Sequence, residues 1–150
     1  MSQTSCVVYG GQMMLFASSG ATAVMPMAFS TKADLKIDLS TRKTSSKDSG
    51  NWDENTPAKF SWSVSSDQLY NYGTTGTTNN FNKLWGYFNN RCIVNVAFAS
   101  AAGSAPNWTS CTTNKFSGCG IITALSINSQ DGADVTYTAN IVGTGALSFA

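Results

Sequence analysis

Lys59-Phe60-Ser61-Trp62-Ser63-Val64-Ser65 is the stretch that decides the fold class. Phe60, Trp62 and Val64 fall on one side of an extended chain, and Lys59, Ser61, Ser63 and Ser65 on the other. A period of two with an apolar side and a hydroxyl side describes a strand with one buried face. The pattern recurs outward in both directions. Residues 34–39 set Leu35, Ile37 and Leu39 against Asp34, Lys36 and Asp38. Residues 93–99 align Val94, Val96 and Phe98, and residues 121–128 align Ile121, Leu125 and Ile127. Residues 135–141 align Val135, Tyr137, Ala139 and Ile141. Between the last two runs lies Ser129-Gln130-Asp131-Gly132, and an Asp-Gly turn predicts a hairpin. Shorter apolar runs at 6–9 and 12–17 around Gly10-Gly11 predict another, and 21–29 leads into a long strand. The chain therefore reads as mostly β and antiparallel, with Phe60, Trp62, Val64, Val135 and Tyr137 in the sheet core.

One segment breaks the period. Phe81, Leu84, Trp85 and Phe88 stand at i, i+3, i+4 and i+7, one face of a short helix over about residues 79–89. Thr78 or Asn79 caps its start, and Asn89 or Asn90 ends it. Its aromatic face is expected to pack on the sheet. Three stretches carry no period: residues 41–57, the Gly/Thr linker 73–78, and 100–118. Structureless loops as long as the first are uncommon in compact domains unless they do something. It carries Arg42, Lys43, Lys47, Asp48, Asp53 and Glu54, six of the chain's 17 charges, around a single Trp52. A tryptophan in such a loop suits an anchor that docks on another surface.

Composition narrows the function. Ser, Thr and Asn supply 50 of the 150 residues, the net charge is +1, and histidine is absent. Without a basic excess, nucleic acid is not held by counterion release. Without imidazole there is no Ser-His or Cys-His pair and no histidine metal ligand. The eight carboxylates are scattered, with only Asp53 and Glu54 adjacent. No phosphate-cradling glycine loop is present, Gly143-Thr144-Gly145 being too short, and Asp34, Asp38 and Asp48 fit no compact calcium loop. No catalytic, cofactor-binding or metal-ligating set is expected. Trp85 and Phe88 belong to a helix face, not to an open platform for bases.

No run reaches the ~18 apolar residues of a membrane helix. Residues 13–29 imitate a signal peptide but lack a basic flank, since the first cation is Lys32. Cys6, Cys92, Cys111 and Cys119 form no C-x-x-C pair. Cys6 and Cys92 read as small buried hydrophobes. Cys111 and Cys119 flank a turn, where they either meet across a hairpin or stay free.

Interaction is what remains. Ser/Thr/Asn faces enter contacts without the desolvation cost of charges. Open sheets have edges to protect, few lysines guard the strands, and a subunit that pairs with copies of itself meets both needs.

The block Ser45-Ser46-Lys47-Asp48-Ser49-Gly50-Asn51-Trp52-Asp53-Glu54-Asn55-Thr56-Pro57, its following Trp62-centred strand and Asp67-Gln68-Leu69-Tyr70 resemble the phage major tail protein (tail tube protein) family of long-tailed bacteriophages. Gly118-Cys119-Gly120-Ile121-Ile122-Thr123, Val135-Thr136-Tyr137 and Gly143-Thr144-Gly145-Ala146-Leu147 follow in matching order. The likeness spans roughly residues 30–150, with Ala58 where a glycine is usual. It implies an antiparallel β-sandwich or barrel-like tail tube fold, one domain over 1–150, with one flanking helix. Six copies then form a ring, and rings stack into a hollow conduit for genome DNA. The loop 41–57 is the implied inter-ring stacking arm, with Trp52 as anchor and Lys43, Lys47, Asp48, Asp53 and Glu54 around it. Implied partners are the chain itself, a tape measure protein inside the tube, and tail terminator and tip proteins at its ends. DNA passes without specific binding, no membrane is involved, and the virion tail is assembled in the host bacterial cytoplasm. The alternative is a monomeric Ig-like phage decoration or adhesion domain, whose long loop faces solvent or a receptor.

Overall fold

The structure, a computed structural model, describes residues 11, 13–19, 24–27, 29–71, 79–104, 107–110 and 115–149. Among these residues eight strands and one α-helix follow in the order β1 (Met13–Ser19), β2 (Met25–Pro26), β3 (Ser30–Lys43), β4 (Asn55–Leu69), α1 (Phe81–Asn89), β5 (Ile93–Ser104), β6 (Asn107–Ser110), β7 (Phe116–Asn128) and β8 (Thr136–Phe149). All strand pairs are antiparallel, in the order β2-β1-β5-β7-β8-β4-β3, with β6 folding back on β5. The sheet curls until β1 and β3 come close, but no ladder joins them, so it is not closed. Residues 100–118, without period in the sequence, contribute the end of β5, all of β6 and the start of β7. The hairpin expected around Gly10-Gly11 and the linker 73–78 lie largely outside the described residues.

Alternation places the core. On β4 Trp62, Val64, Ser66 and Gln68 are buried in turn, and on β8 Tyr137, Ala139 and Ile141. They meet Leu15, Val94, Val96 and Ile122 across the curl, and Leu84 of α1 seals one side. The Asp131-Gly132 turn forms as expected, Gly132 taking φ 80°, which costs glycine little.

Three sequence assignments need correction. Ile121 does not share the core face with Leu125 and Ile127. A bulge between Ile122 and Ala124 adds one residue to β7, so Ile122 turns inward and Ile121 outward beside Val142. Phe60 is 77 % exposed although Trp62 and Val64 beside it are buried. Pairing of β4 with β8 stops at Ser63 and Val142, and beyond it β4 runs on with β3 alone. Trp85 is half exposed. At about 100° per helical residue, Phe88 and Phe81 lie within about 60° of Leu84, as does Tyr87 on the other side, whereas Trp85 is about 100° away. Tyr87 therefore takes the place expected of Trp85. Val135 is half-buried just before β8, next to the core.

Asn80, one residue after the expected Asn79, caps α1 by accepting a bond from Lys83 N–H at 3.0 Å. Asn79 has a different task. Wholly buried, it donates through Nδ2 to the carbonyls of Ala17 (2.7 Å) and Met25 (2.9 Å), and its backbone N–H bonds Pro26. Asn79→Ala leaves those carbonyls short of a donor and is expected to cost about 1–3 kcal/mol. Thermal melts read this as a drop of several degrees, and an unchanged midpoint contradicts the pinning role.

Tyr137 packs edge-on against Phe81 and Tyr70, with ring centroids at 5.3 and 6.3 Å. Burial pushes its phenol up to about 12. Because the folded value lies above the unfolded 10.0, the neutral phenol stabilises the fold fully below pH 10. That contribution is lost as pH rises from 10 to about 12, at roughly 1.4 kcal/mol per pH unit. Denaturation across this window is expected to show a slope that Tyr137→Phe flattens. Equal slopes in the two proteins contradict it.

Candidate assembly interface

The long loop of the sequence is in part the end of a β-hairpin arm. Thr41 pairs with Pro57, Arg42 with Thr56 and Lys43 with Asn55, so only residues 44–54 stand outside the ladder. Pro57 is tolerated because β4 has a neighbour on one side only at this point. The tip folds on itself. Ser46 caps a 3-10 turn over Lys47–Ser49, and Ser49 returns a bond to the Ser46 N–H at 2.9 Å. Thr44 N–H bonds the Glu54 carbonyl, Glu54 N–H bonds the Ser45 hydroxyl at 2.7 Å, and Lys43 pairs with Asp53 at 2.9 Å. The structure thus joins Lys43, Asp53 and Glu54 at the neck of the tip, while Lys47 and Asp48 stay exposed on its turn. Trp52 is 84 % exposed on this ordered knob, the most exposed large hydrophobic side chain among the described residues.

At the arm's root the sheet forks. β4 leaves with β3, and residues 143–149 of β8 leave with β7. Trp62 fills the crotch, its Nε1–H donating to the Gly145 carbonyl at 3.3 Å. A Cβ at Gly143 would stand 2.1 Å from the indole, and one at Gly118 2.7 Å. These two glycines are the slot for Trp62, a role that sequence reasoning missed. The available signal was two glycine positions on strands that pair, together with a tryptophan in the middle of a third.

Beyond the crotch lies an apolar groove of about 600 Å³ that no described residue covers, between the arm and the diverging pair. Ile37, Phe60, Trp62, Phe116, Leu147 and Phe149 line it, with Lys59 beside them. Phe116 and Phe149 face each other at 4.7 Å between ring centroids. Phe60, expected in the sheet core, thus belongs to an open surface.

The opposite face of the sheet is polar. On β3 and β4 it presents Lys32 and Lys36 with Asp34, Asp38 and Asp67, among Ser61, Ser63 and Ser65. Lys32 and Asp34 lie 3.4 Å apart, and Lys36 and Asp38 3.7 Å. Edge strand β3 carries Lys32, Lys36 and Lys43 and two register shifts, so this edge is guarded, contrary to expectation. The fork opens further edges, on β4 before Ser63 and on β8 beyond Val142. The polar face has one apolar row, Ile93, Ile121 and Val142, directly opposed across β5, β7 and β8 and all exposed.

Cys119 is an exposed free thiol bonded to the Asn95 side chain at 3.3 Å, and Cys111 lies outside the described residues. No helix among the described residues is long and apolar enough to cross a membrane. No group of His, Cys, Asp or Glu among them is placed to hold a metal ion.

No family model matches the sequence, and no curated protein matches it significantly. Solved structures do match. The tail of the empty gene transfer agent particle, determined with C6 symmetry, superposes with a TM-score of 0.75 at 15 % identity, over 96 % of this chain and 99 % of that one. The SPP1 tail tube gives 0.69 at 10 % identity, over 93 % of this chain and 77 % of that one. The sheath–tube complex of an extracellular contractile injection system gives 0.56 at 12 % identity, over 91 % and 89 %. At such identities the likeness is one of architecture: the chain has the fold of tail tube proteins.

Proposed function

We propose that this chain is a non-enzymatic structural subunit of a phage tail tube. Six copies form a ring, rings stack through the arms, and the hollow stack conducts genome DNA. The observation that carries the reading is the arm itself. It is an ordered hairpin that continues the core strands out of the body and holds an apolar face and Trp52 open to solvent. A solitary domain gains nothing from such exposure, whereas a subunit covers it with its neighbours. The row Ile93–Ile121–Val142 offers a lateral contact to the next copy in the ring. The tube's inner and end partners are a tape measure protein and the terminator and tip proteins. Assembly takes place in the host bacterial cytoplasm and ends in the virion tail.

A conduit for DNA must not hold DNA, because each phosphate neutralised by a cation adds binding free energy and slows transit. The polar face of β3 and β4, with two lysines outnumbered by three aspartates, suits a channel wall. A determined tube is expected to show a neutral to acidic lumen lined by Ser, Thr, Asn and Asp, and a lysine-lined lumen contradicts this. The direct test is negative-stain microscopy of the purified protein. Rings of six or tubes support the proposal. Monodisperse globules at high concentration favour a decoration or adhesion domain.

A further inference from the structure

Resting on the stacking reading above, we infer that the bulge at Ser40 is the elbow that sets the direction of the arm, and that the Ser40 hydroxyl is the latch that holds it. Ser40 is then a positioning residue for Trp52. The register of β3 and β4 is regular up to Leu39 and Phe60 and resumes at Thr41 and Pro57. One residue of β3, Ser40, therefore stands against two of β4, Ala58 and Lys59. An extra residue on one strand bends that strand and tightens its twist. This one falls past the crotch, where β4 has left β8 and keeps only its ladder with β3.

The ladder is thin at this point, and one side chain completes it. Pro57 has no N–H to give. Ser40 Oγ donates to the Lys59 carbonyl and accepts from the Lys59 N–H, both at 3.0 Å. Among short side chains a hydroxyl alone does both well through a single atom. The bulge at the other end of the same strand pair is held differently. There Thr31, the extra residue on β3, donates once, to the Asp67 carbonyl at 3.1 Å. Beyond the elbow the arm keeps three ladder pairs, Thr41–Pro57, Arg42–Thr56 and Lys43–Asn55, and its self-bonded tip, so it turns as one piece. At ~3.3 Å per residue Trp52 stands on the order of 15 Å beyond the elbow, so a turn of about 20° carries the indole about 5 Å. A packed contact does not survive such a displacement.

Three variants test this. Ser40→Ala removes both bonds at an exposed position, and Ser40→Thr keeps the hydroxyl. Deletion of Ala58 removes the bulge and lets the register of Leu39 and Phe60 run on into Thr41 and Pro57. Amide exchange reads the Lys59 bond. Residual dipolar couplings of the unassembled chain read the direction of residues 41–43 and 55–56 against 33–38 and 61–66. In Ser40→Ala the Lys59 amide is expected to exchange about tenfold faster, and the couplings of the arm to shrink while those of the body hold. Ser40→Thr is expected to match wild type in both. Without Ala58 the couplings of the arm are expected to keep their size and fit a new direction, and long tubes to be lost in electron microscopy. Wild-type couplings in Ser40→Ala overturn the inference, as does failure of threonine to restore them. An unchanged arm direction or wild-type tubes without Ala58 overturn it too. Should the deletion fail to fold in circular dichroism melts, the two Ser40 variants decide alone. A wild-type chain that forms neither rings nor tubes overturns the tube reading, while the couplings still decide the elbow, which separates the two.

Discussion

Gly143→Ala is expected to destabilise the fold by about 3 kcal/mol, a large share of the ~5–15 kcal/mol that holds a domain together. The added methyl would stand 2.1–2.4 Å from three atoms of the Trp62 indole. Either the ring stays and the strands part, an overpacking cost of about 1–3 kcal/mol, or it is expelled. Expulsion forfeits a buried tryptophan, about 3–5 kcal/mol, and the bond to the Gly145 carbonyl. Urea denaturation measures the loss. The companion Trp62→Leu shortens the side chain that the methyl strikes. In Trp62→Leu the further effect of Gly143→Ala should therefore shrink by more than about 1 kcal/mol, a coupling that independent sites do not show. Additive effects, or a Gly143→Ala midpoint equal to wild type, would contradict the slot.

Trp52→Ala should do the reverse, leaving the monomer intact and disabling assembly. Nothing among the described residues covers the indole, so the monomer's stability is expected to stay within about 0.5 kcal/mol of wild type. A tryptophan at the centre of a contact commonly contributes 2 kcal/mol or more, about thirtyfold in its association constant. Stacked rings of six would make six such contacts at each junction, so the loss multiplies and long tubes should disappear at matched concentration. Trp52→Phe should retain part of the activity. Light scattering and electron microscopy of the three proteins decide the matter. Normal tubes from a well-folded Trp52→Ala protein would remove the anchor.

Much of the fold was legible because alternation is a one-dimensional signal. The strands around Trp62, Val94 and Tyr137, the turn at Gly132 and the helix through Leu84 could all be read from spacing. What escaped depends on where the chain runs relative to other strands. Ile121 and Ile122 exchange faces through a single bulge residue, which leaves no mark in the composition. Phe60 and Trp62 obey the same alternation, yet one is open and the other buried, because β8 turns away between them. Trp85 needed the position of the sheet beneath α1, not only the pitch of the helix. The site was legible in part. Trp52 and its charged neighbours stood out by composition, but the length assigned to the loop hid a strand ladder reaching Lys43 and Asn55. The groove is assembled from residues as far apart in sequence as Ile37 and Phe149 and left no local signature.

The unbroken passage of β3 and β4 from body to tip has a mechanical side. In a stacked assembly, tension on the knob runs along the two strands, at right angles to the hydrogen bonds that tie β4 to β8 in the body. The ladder is then loaded in shear, and its rungs share the force together instead of opening one after another from the end. Tensile strength is thereby built into the same hairpin that makes the joint, and pulling such a stack should part the copies before it unravels the subunit.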